Sequence, residues 1–209
     1  KTTKRTQNKM QSIKLSDNLA IRNLKKEYLL KKGRINSRLR EFELFYNEPC
    51  SWFFEDGKME LRRVDKDINE TLFEELCFCI LTANTSAEMG MKSIDRIRDL
   101  LINRKAEEMS RNLEGVYRFN NLRPAFIVHT MEKLQKNHNF ELKNIIETLK
   151  NDPDALRDFF VENVKGFWYK ESSHFLRNIG FKGYAILDKH ILNSLIEFNI
   201  ADEVKMPLN

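Results

Sequence analysis

Two residues towards the end of the sequence, a lysine and an aspartate, have the chemistry of a nucleophile and of a carboxylate that assists it. Lys170 follows a glycine-containing turn, and Asp188 comes 18 residues later. A neutral lysine amine attacks electrophilic carbon and forms a Schiff base, while a carboxylate accepts a proton or stabilises developing positive charge. The same spacing also suits a surface salt bridge or a helix-capping aspartate, so spacing by itself leaves both interpretations open.

The segment before Lys170 predicts two helices joined by a tight turn. One helix is expected to end near Asn163, and a second begins near Tyr169, after the turn that holds Gly166. The backbone N–H groups at the start of the second helix face solvent, which is typical of a site for an anion such as phosphate. In the first turn of that helix, the positive end of the helix dipole disfavours a charged amine on Lys170, so neutral amine is more available.

The segment after Lys170 predicts a return of the chain to the same end of the hairpin. The second helix is expected to end at Gly180, because glycine is the common residue just after a helix. A helix of about ten residues rises roughly 15 Å, and the return through Gly183 is long enough to cover that distance. Asp188 then caps a further helix, and we expect it to meet Lys170 across a cleft.

The rest of the chain predicts an all-α fold in which two helical lobes share a cleft, with the hairpin motif (164–192) at that cleft. The stretch 72–84 is apolar on nearly every side, which is typical of a buried helix. Thr85 with Glu88 suggests a capping box that opens the next helix. No alternation typical of a strand is sustained, so we expect residues 18–209 to form one helical domain.

Three N-terminal segments precede this pattern. Residues 18–46 show apolar residues at helical spacing, and we expect either one helix or two helices with a break at Gly33. Residues 47–68 combine proline, Asp-Gly and charged residues, which predicts a loop insertion with a short strand or turn near residues 52–54. Residues 1–17 have little to bury and are expected to form a disordered basic arm.

The charge of the chain is unevenly distributed. The whole chain has 36 Lys and Arg against 31 Asp and Glu, a formal net charge of +5. Residues 1–40 hold 13 basic and 2 acidic side chains, whereas the remainder holds 23 and 29. A basic arm on a near-neutral body indicates a polyanionic partner, most often nucleic acid, although a solvated tail explains the same charge.

The composition excludes several other classes of protein. The three cysteines, Cys50, Cys77 and Cys79, are too few for a disulfide scaffold or a four-thiolate metal site. Cys77 and Cys79 lie in an apolar run and are interpreted as reduced core thiols, which indicates an intracellular, reducing compartment. No apolar run approaches the roughly 18 residues of a membrane span. The sequence also lacks a P-loop and zinc-ligand spacing, so we expect no metal.

Three stretches carry a resemblance to a known family: KESSHFLRNIG (170–180), AILDKHIL (185–192) and ELCFCILTAN (75–84). They resemble the helix-hairpin-helix DNA glycosylases and, among these, the archaeal-type 8-oxoguanine DNA glycosylase/lyases. The resemblance implies a helical fold with a hairpin motif at its cleft. It also implies that Lys170 is the catalytic lysine and Asp188 the catalytic aspartate.

The resemblance further implies a set of residues that contact DNA. His190 falls on a phosphate-contacting position, and Asn84 on a position that reaches into the duplex beside the extruded base; the alternatives are a buried histidine and a helix-end cap. The family has Gly-hydrophobic-Gly at the hairpin, whereas this chain has Gly166-Phe167-Trp168. We therefore place the DNA-binding turn at Gly166 and Trp168, where a positive φ would strain the tryptophan.

The function expected from the resemblance is base-excision repair of damaged double-stranded DNA. An oxidised purine, 8-oxoguanine, is removed, and the strand is cleaved through a Schiff base on Lys170, with no metal or redox cofactor. We expect an intracellular monomer without membrane contact, located in the nucleus or nucleoid if its targeting is intact. The family continues beyond Asn209, so C-terminal helices are expected to be missing here. The alternative from the residues is a non-catalytic helix-hairpin-helix module that binds DNA.

Overall fold

The computed structural model of the chain describes residues 19–198 and residue 200. The basic arm expected at residues 1–17 lies outside the described residues. The helices and strands are, in chain order, α1 (Leu19–Asn47), β1 (Cys50–Glu55), β2 (Lys58–Arg63), α2 (Ile68–Thr82), α3 (Ala87–Ile97), α4 (Ala106–Leu113), α5 (Leu122–His138), α6 (Leu142–Leu149), α7 (Pro153–Asn163), α8 (Tyr169–Asn178) and α9 (Lys189–Glu197).

Helices dominate the described residues, and the all-α class is confirmed; the exception is a β-hairpin. The short strand expected near residues 52–54 lies in β1, but the rest of the expected loop is wrong, because β1 pairs with β2 as an antiparallel two-stranded sheet. Asp56 and Gly57 form the two-residue turn with φ values of 49° and 75°. Positive φ at both central positions is typical of a type I′ turn, for which Asp-Gly is a favoured sequence. The hairpin signal was therefore present in the sequence.

For residues 18–46 the alternative of a single helix is confirmed, whereas the expected start of α3 is wrong. The helix α1 continues through Gly33, where an added Cβ would meet nothing within 4 Å. Glycine inside an exposed helix costs only about 1 kcal/mol relative to alanine, which is too little to break it. The N-cap of α3 is Ser86, whose Oγ accepts from the Met89 N–H at 3.1 Å. Thr85 instead donates its hydroxyl to the Leu81 carbonyl at 2.9 Å.

The core is organised around α2, as its apolar character predicts. Residues 71–81 of this helix are buried on every side, and α3, α5, α6, α8 and β1 pack against it. Cys50, Cys77 and Cys79 are buried free thiols, as expected. Burial raises the pKa of Cys77 and of Cys79 well above the usual thiol value, so both stay protonated.

The chain divides into two compact units. The first consists of residues 1–37 and 187–209, and its described part holds the N-terminal part of α1 together with α9. The second consists of residues 38–186 and holds the β-hairpin and α2 to α8. Across the part of the chain that the structure describes, no helix has both the length and the apolar character needed to cross a membrane.

Candidate active site

A short turn joins α7 to α8 and confirms the predicted pair of helices, whose bounds next to the turn are those expected from the sequence. Val164 and Phe167 are buried, and the Phe167 N–H donates to the Val164 carbonyl at 3.2 Å. The Lys165 N–H donates to Oγ1 of Thr130, on α5, at 3.0 Å. The turn is therefore anchored to the body of the second unit by two apolar side chains and one hydrogen bond.

Gly166 is the residue of this turn that only glycine fits. Its φ is +86°, in the region that L-residues rarely adopt. An added Cβ would lie 2.7 Å from a ring carbon of Phe126, well inside ordinary contact distance. The backbone of the turn therefore rests on the Phe126 ring, while Gly166 itself is exposed on the other side. A backbone in this position is open to close approach by a ligand.

Trp168 is the N-cap residue of α8, and its side chain is not part of the core. Its φ of −122° and ψ of −173° are ordinary extended values, so the strain expected from a positive φ is absent. The residue is 54% exposed. Its backbone N–H donates to Oε2 of Glu171 at 3.2 Å, which fixes the start of the helix.

Lys170 lies in the first turn of α8, where the sequence places it. Its side chain is 43% exposed, and its Nζ lies 3.7 Å from Oε1 of Glu171. The amine is therefore accessible from solvent and has one carboxylate at the edge of ion-pair distance. Glu171 is a residue that the sequence analysis did not single out; the signal was its position three residues after the N-cap.

His174 lies one helical turn after Lys170, on the same side of α8. Burial, the charge of Arg177 and the charge of Lys170 lower the pKa of His174 to about 4, so its ring is neutral at physiological pH. The ring lies edge-on to Phe78 of α2, with 6.2 Å between centroids. His174 was not among the predicted site residues; its spacing of four residues from Lys170 was the available signal.

Asp188 is the N-cap of α9, as predicted, and its Oδ1 accepts from the backbone N–H groups of His190 and Ile191 at 3.0 and 2.9 Å. His190 is exposed, so the alternative of a buried histidine is wrong. Asp188 belongs to the first unit and Lys170 to the second. The pairing of these two side chains stays a prediction.

Asn84 lies just after the end of α2, in a turn held by two hydrogen bonds. Its φ is +64° and it is exposed. The Thr85 N–H donates to the Thr82 carbonyl at 3.0 Å, and the carbonyl of Ala83 accepts from Nη2 of Arg123 at 3.3 Å. The turn therefore projects the Asn84 side chain away from the core.

Within residues 19–198 and residue 200, no group of three or more histidines, cysteines, aspartates and glutamates is arranged to hold a metal ion. The chemistry that the described site offers is that of an accessible amine at a helix start, beside a turn whose backbone is open to an anion.

Comparison with known proteins gives a consistent result. Residues 55–209 match the family model described as 8-oxoguanine DNA glycosylase. The 8-oxoguanine DNA glycosylase/AP lyase of Methanocaldococcus jannaschii is 38% identical over 179 residues, which are 85% of this chain and 74% of that protein.

Two solved structures of the Methanocaldococcus jannaschii enzyme are similar to this chain. The crystal structure of the glycosylase alone superposes with a TM-score of 0.71 at 36% identity, over 91% of this chain and 79% of the other. The structure in complex with a 15mer DNA containing 8-oxoguanine superposes with a TM-score of 0.67 at 34% identity, over 90% of this chain and 81% of the other. The similarity therefore extends over sequence and fold together, and one of the similar structures holds damaged DNA.

Proposed function

The chain belongs to the 8-oxoguanine DNA glycosylase family, and we propose that Lys170 is the nucleophile with which it acts on DNA. The protein is a DNA glycosylase and AP lyase of base-excision repair that acts on 8-oxoguanine. The observation that carries the assignment is the position of Lys170, accessible in the first turn of α8 and directly after the turn of Gly166.

The proposed reaction follows from amine chemistry. Neutral Nζ of Lys170 bonds to C1′ of the damaged nucleotide while the bond from C1′ to the base breaks, and the base leaves with the electron pair. The resulting ammonium gives one proton to the Asp188 carboxylate. The nitrogen lone pair then forms the C=N bond of the Schiff base while the C1′–O4′ bond breaks, and O4′ takes up the proton from Asp188. Removal of a proton from C2′ allows elimination of the 3′ phosphate, which cleaves the strand.

We assign Asp188 to the charge and proton steps of this reaction. Its carboxylate accepts a proton from the attacking amine or stabilises the positive charge that develops on the sugar. Asp188 also caps α9, where its Oδ1 accepts from the backbone N–H groups of His190 and Ile191.

The proposed partner is damaged double-stranded DNA, bound by one copy of the chain in the nucleus or nucleoid. The exposed backbone at Gly166 and the start of α8 form a phosphate site, where phosphate competes with the Glu171 carboxylate, and His190 contacts a second phosphate. Asn84 enters the duplex beside the extruded base, supported by its exposure at a tight turn. The exposed ring of Trp168 lies along the DNA backbone.

Borohydride trapping on DNA with an abasic site tests the assignment of Lys170, because it reduces the Schiff base to a stable cross-link. The Lys170→Gln variant keeps the length and helix propensity but cannot form an imine, so we expect no cross-link. Lys182→Gln is the matched control, since Lys182 is an exposed lysine that pairs with Glu43 at 2.9 Å. Trapping of the Lys170→Gln protein at the wild-type level would show that another amine is the nucleophile.

A further inference from the structure

Arg123 is an arginine in the first turn of α5 whose guanidinium is buried. The residue is 6% exposed, and its guanidinium lies 5.4 and 5.3 Å from the ring centroids of Phe119 and Phe126. Nη2 donates to the carbonyl of Ala83 at 3.3 Å. Nε is buried and makes no hydrogen bond within the described residues.

The charge of Arg123 has no acidic partner among the residues that the structure describes, since no carboxylate oxygen there lies within 4.0 Å of its nitrogens. Buried arginines are normally paired, because an unpaired charge in the interior is costly. Arg98 illustrates the normal case in the same unit. It donates to Glu74, to Asp95 at 2.6 Å and to the Trp52 carbonyl at 2.7 Å.

The position of Arg123 connects the two turns that are assigned to DNA. On one side it holds the carbonyl of Ala83, the residue before Asn84. On the other side, an added Cβ at Gly166 would lie 3.2 Å from Nη1, so the guanidinium lies directly beneath the hairpin turn. One buried cation therefore contacts the turn of Asn84 and supports the turn of Gly166.

A purely structural role would explain part of this arrangement. Ala83 is the C-cap of α2, and a cation is favourable at the C-terminal end of a helix. The Tyr117 hydroxyl donates to the nearby Leu81 carbonyl at 2.6 Å. Capping alone, however, does not require a full charge, does not use Nε and does not explain why the cation lies under Gly166.

We propose that Arg123 is a positioning residue for DNA, whose buried charge is balanced by a DNA phosphate bound at the hairpin turn. The inference rests on the proposed function of that turn as a phosphate site. Arg123 also fixes the turn of Asn84 relative to the hairpin turn. The Asn84 side chain can therefore enter the duplex while the hairpin turn binds phosphate.

The test uses charge-keeping and charge-removing variants of Arg123. Arg123→Lys keeps the charge, and Arg123→Gln keeps a donor for the Ala83 carbonyl but removes the charge. The matched control is Arg98→Gln. It removes a largely buried guanidinium that also binds a carbonyl and lies 4.4 Å from a phenylalanine ring, but that guanidinium has acidic partners. Affinity for a duplex with a tetrahydrofuran abasic-site analogue is measured over a range of salt concentrations, alongside melting temperature and single-turnover excision of 8-oxoguanine.

We expect Arg123→Gln to weaken duplex binding at least about tenfold and to lower the slope of log affinity against log salt by about 0.9, the contribution of one phosphate. Arg123→Lys keeps the slope but slows excision, because a single ammonium cannot hold both turns. Arg98→Gln lowers the melting temperature without changing the slope.

An unchanged salt slope in Arg123→Gln would overturn the inference and leave Arg123 as a helix cap. Arg123→Met, which keeps the packing between the two rings, replaces the glutamine variant if that variant does not fold. If neither neutral variant folds, the Arg123→Lys variant decides: excision of 8-oxoguanine at the wild-type rate by this variant would overturn the inference. A wild-type protein that neither binds the duplex nor excises 8-oxoguanine would instead contradict the proposed function.

Discussion

Replacing Gly166 by alanine tests whether the hairpin turn rests directly on the ring of Phe126. The added Cβ would lie 2.7 and 2.8 Å from two ring carbons, closer than the 3.4–4 Å of ordinary contact. Relief of such an overlap in a packed site typically costs about 1–3 kcal/mol. The left-handed backbone, with φ of 86°, adds about 1–2 kcal/mol for a residue with a Cβ.

The expected loss of stability for Gly166→Ala is therefore about 2–5 kcal/mol. For a chain of this size, each kcal/mol lowers the melting temperature by about 2–4 °C, so we expect a decrease of about 4–20 °C. Scanning calorimetry measures this directly. Duplex affinity should fall as well, because the turn must move away from the ring to accept the methyl group.

Gly183→Ala is the matched control for the backbone contribution. Gly183 has a φ of 92°, but an added Cβ would meet nothing within 4 Å, so only the backbone cost of about 1–2 kcal/mol applies. The difference between the two variants isolates the contact with Phe126. Equal decreases in melting temperature would refute the reasoning, because they would show that the turn does not rest on the ring.

Three further outcomes are expected. Burial raises the pKa of Glu75 from 4.5 to about 8, so its favourable contribution to the free energy of unfolding is complete below pH 4.5 and is lost as pH rises through 8. Glutamine does not titrate, so the melting temperature of Glu75→Gln should decrease less than that of the wild type over this pH range. Asp188→Asn keeps the N-cap but should slow single-turnover excision about 10²-fold or more, without weaker binding; an unchanged rate would reduce Asp188 to a helix cap. Trp168→Gly should tighten duplex binding with little change in melting temperature, because glycine lets the turn approach the phosphate more closely than the indole does; weaker binding with a large decrease in melting temperature would place the indole in the core.

The helix boundaries of the hairpin were predictable because the signals for them are local. The capping aspartate Asp188 and the glycine after α8, Gly180, act within a few residues of their position in the chain. The short strand or turn expected near residues 52–54 is part of β1, whereas its pairing with β2 was not predicted, although Asp56 and Gly57 carry the turn.

The lysine and aspartate of the site were found through a local motif, whereas their supporting residues were not. The burial of Arg123 depends on Ala83, which is 40 positions away, and on Gly166, which is further still. Contacts between residues so far apart in the chain leave no periodic pattern in the sequence from which they could be predicted. The exposure of Trp168 also needed the structure, since an aromatic residue beside a buried Phe167 fits a core as well as a surface.

The most direct measurement of the role of Lys170 is the identity of the peptide that becomes attached to DNA. The wild-type protein is reduced with borohydride on a duplex that contains 8-oxoguanine, digested, and analysed by tandem mass spectrometry. The proposed mechanism predicts a single sugar adduct on Nζ of Lys170. An adduct on a different lysine or on the terminal amine, with Lys170 unmodified, would contradict it.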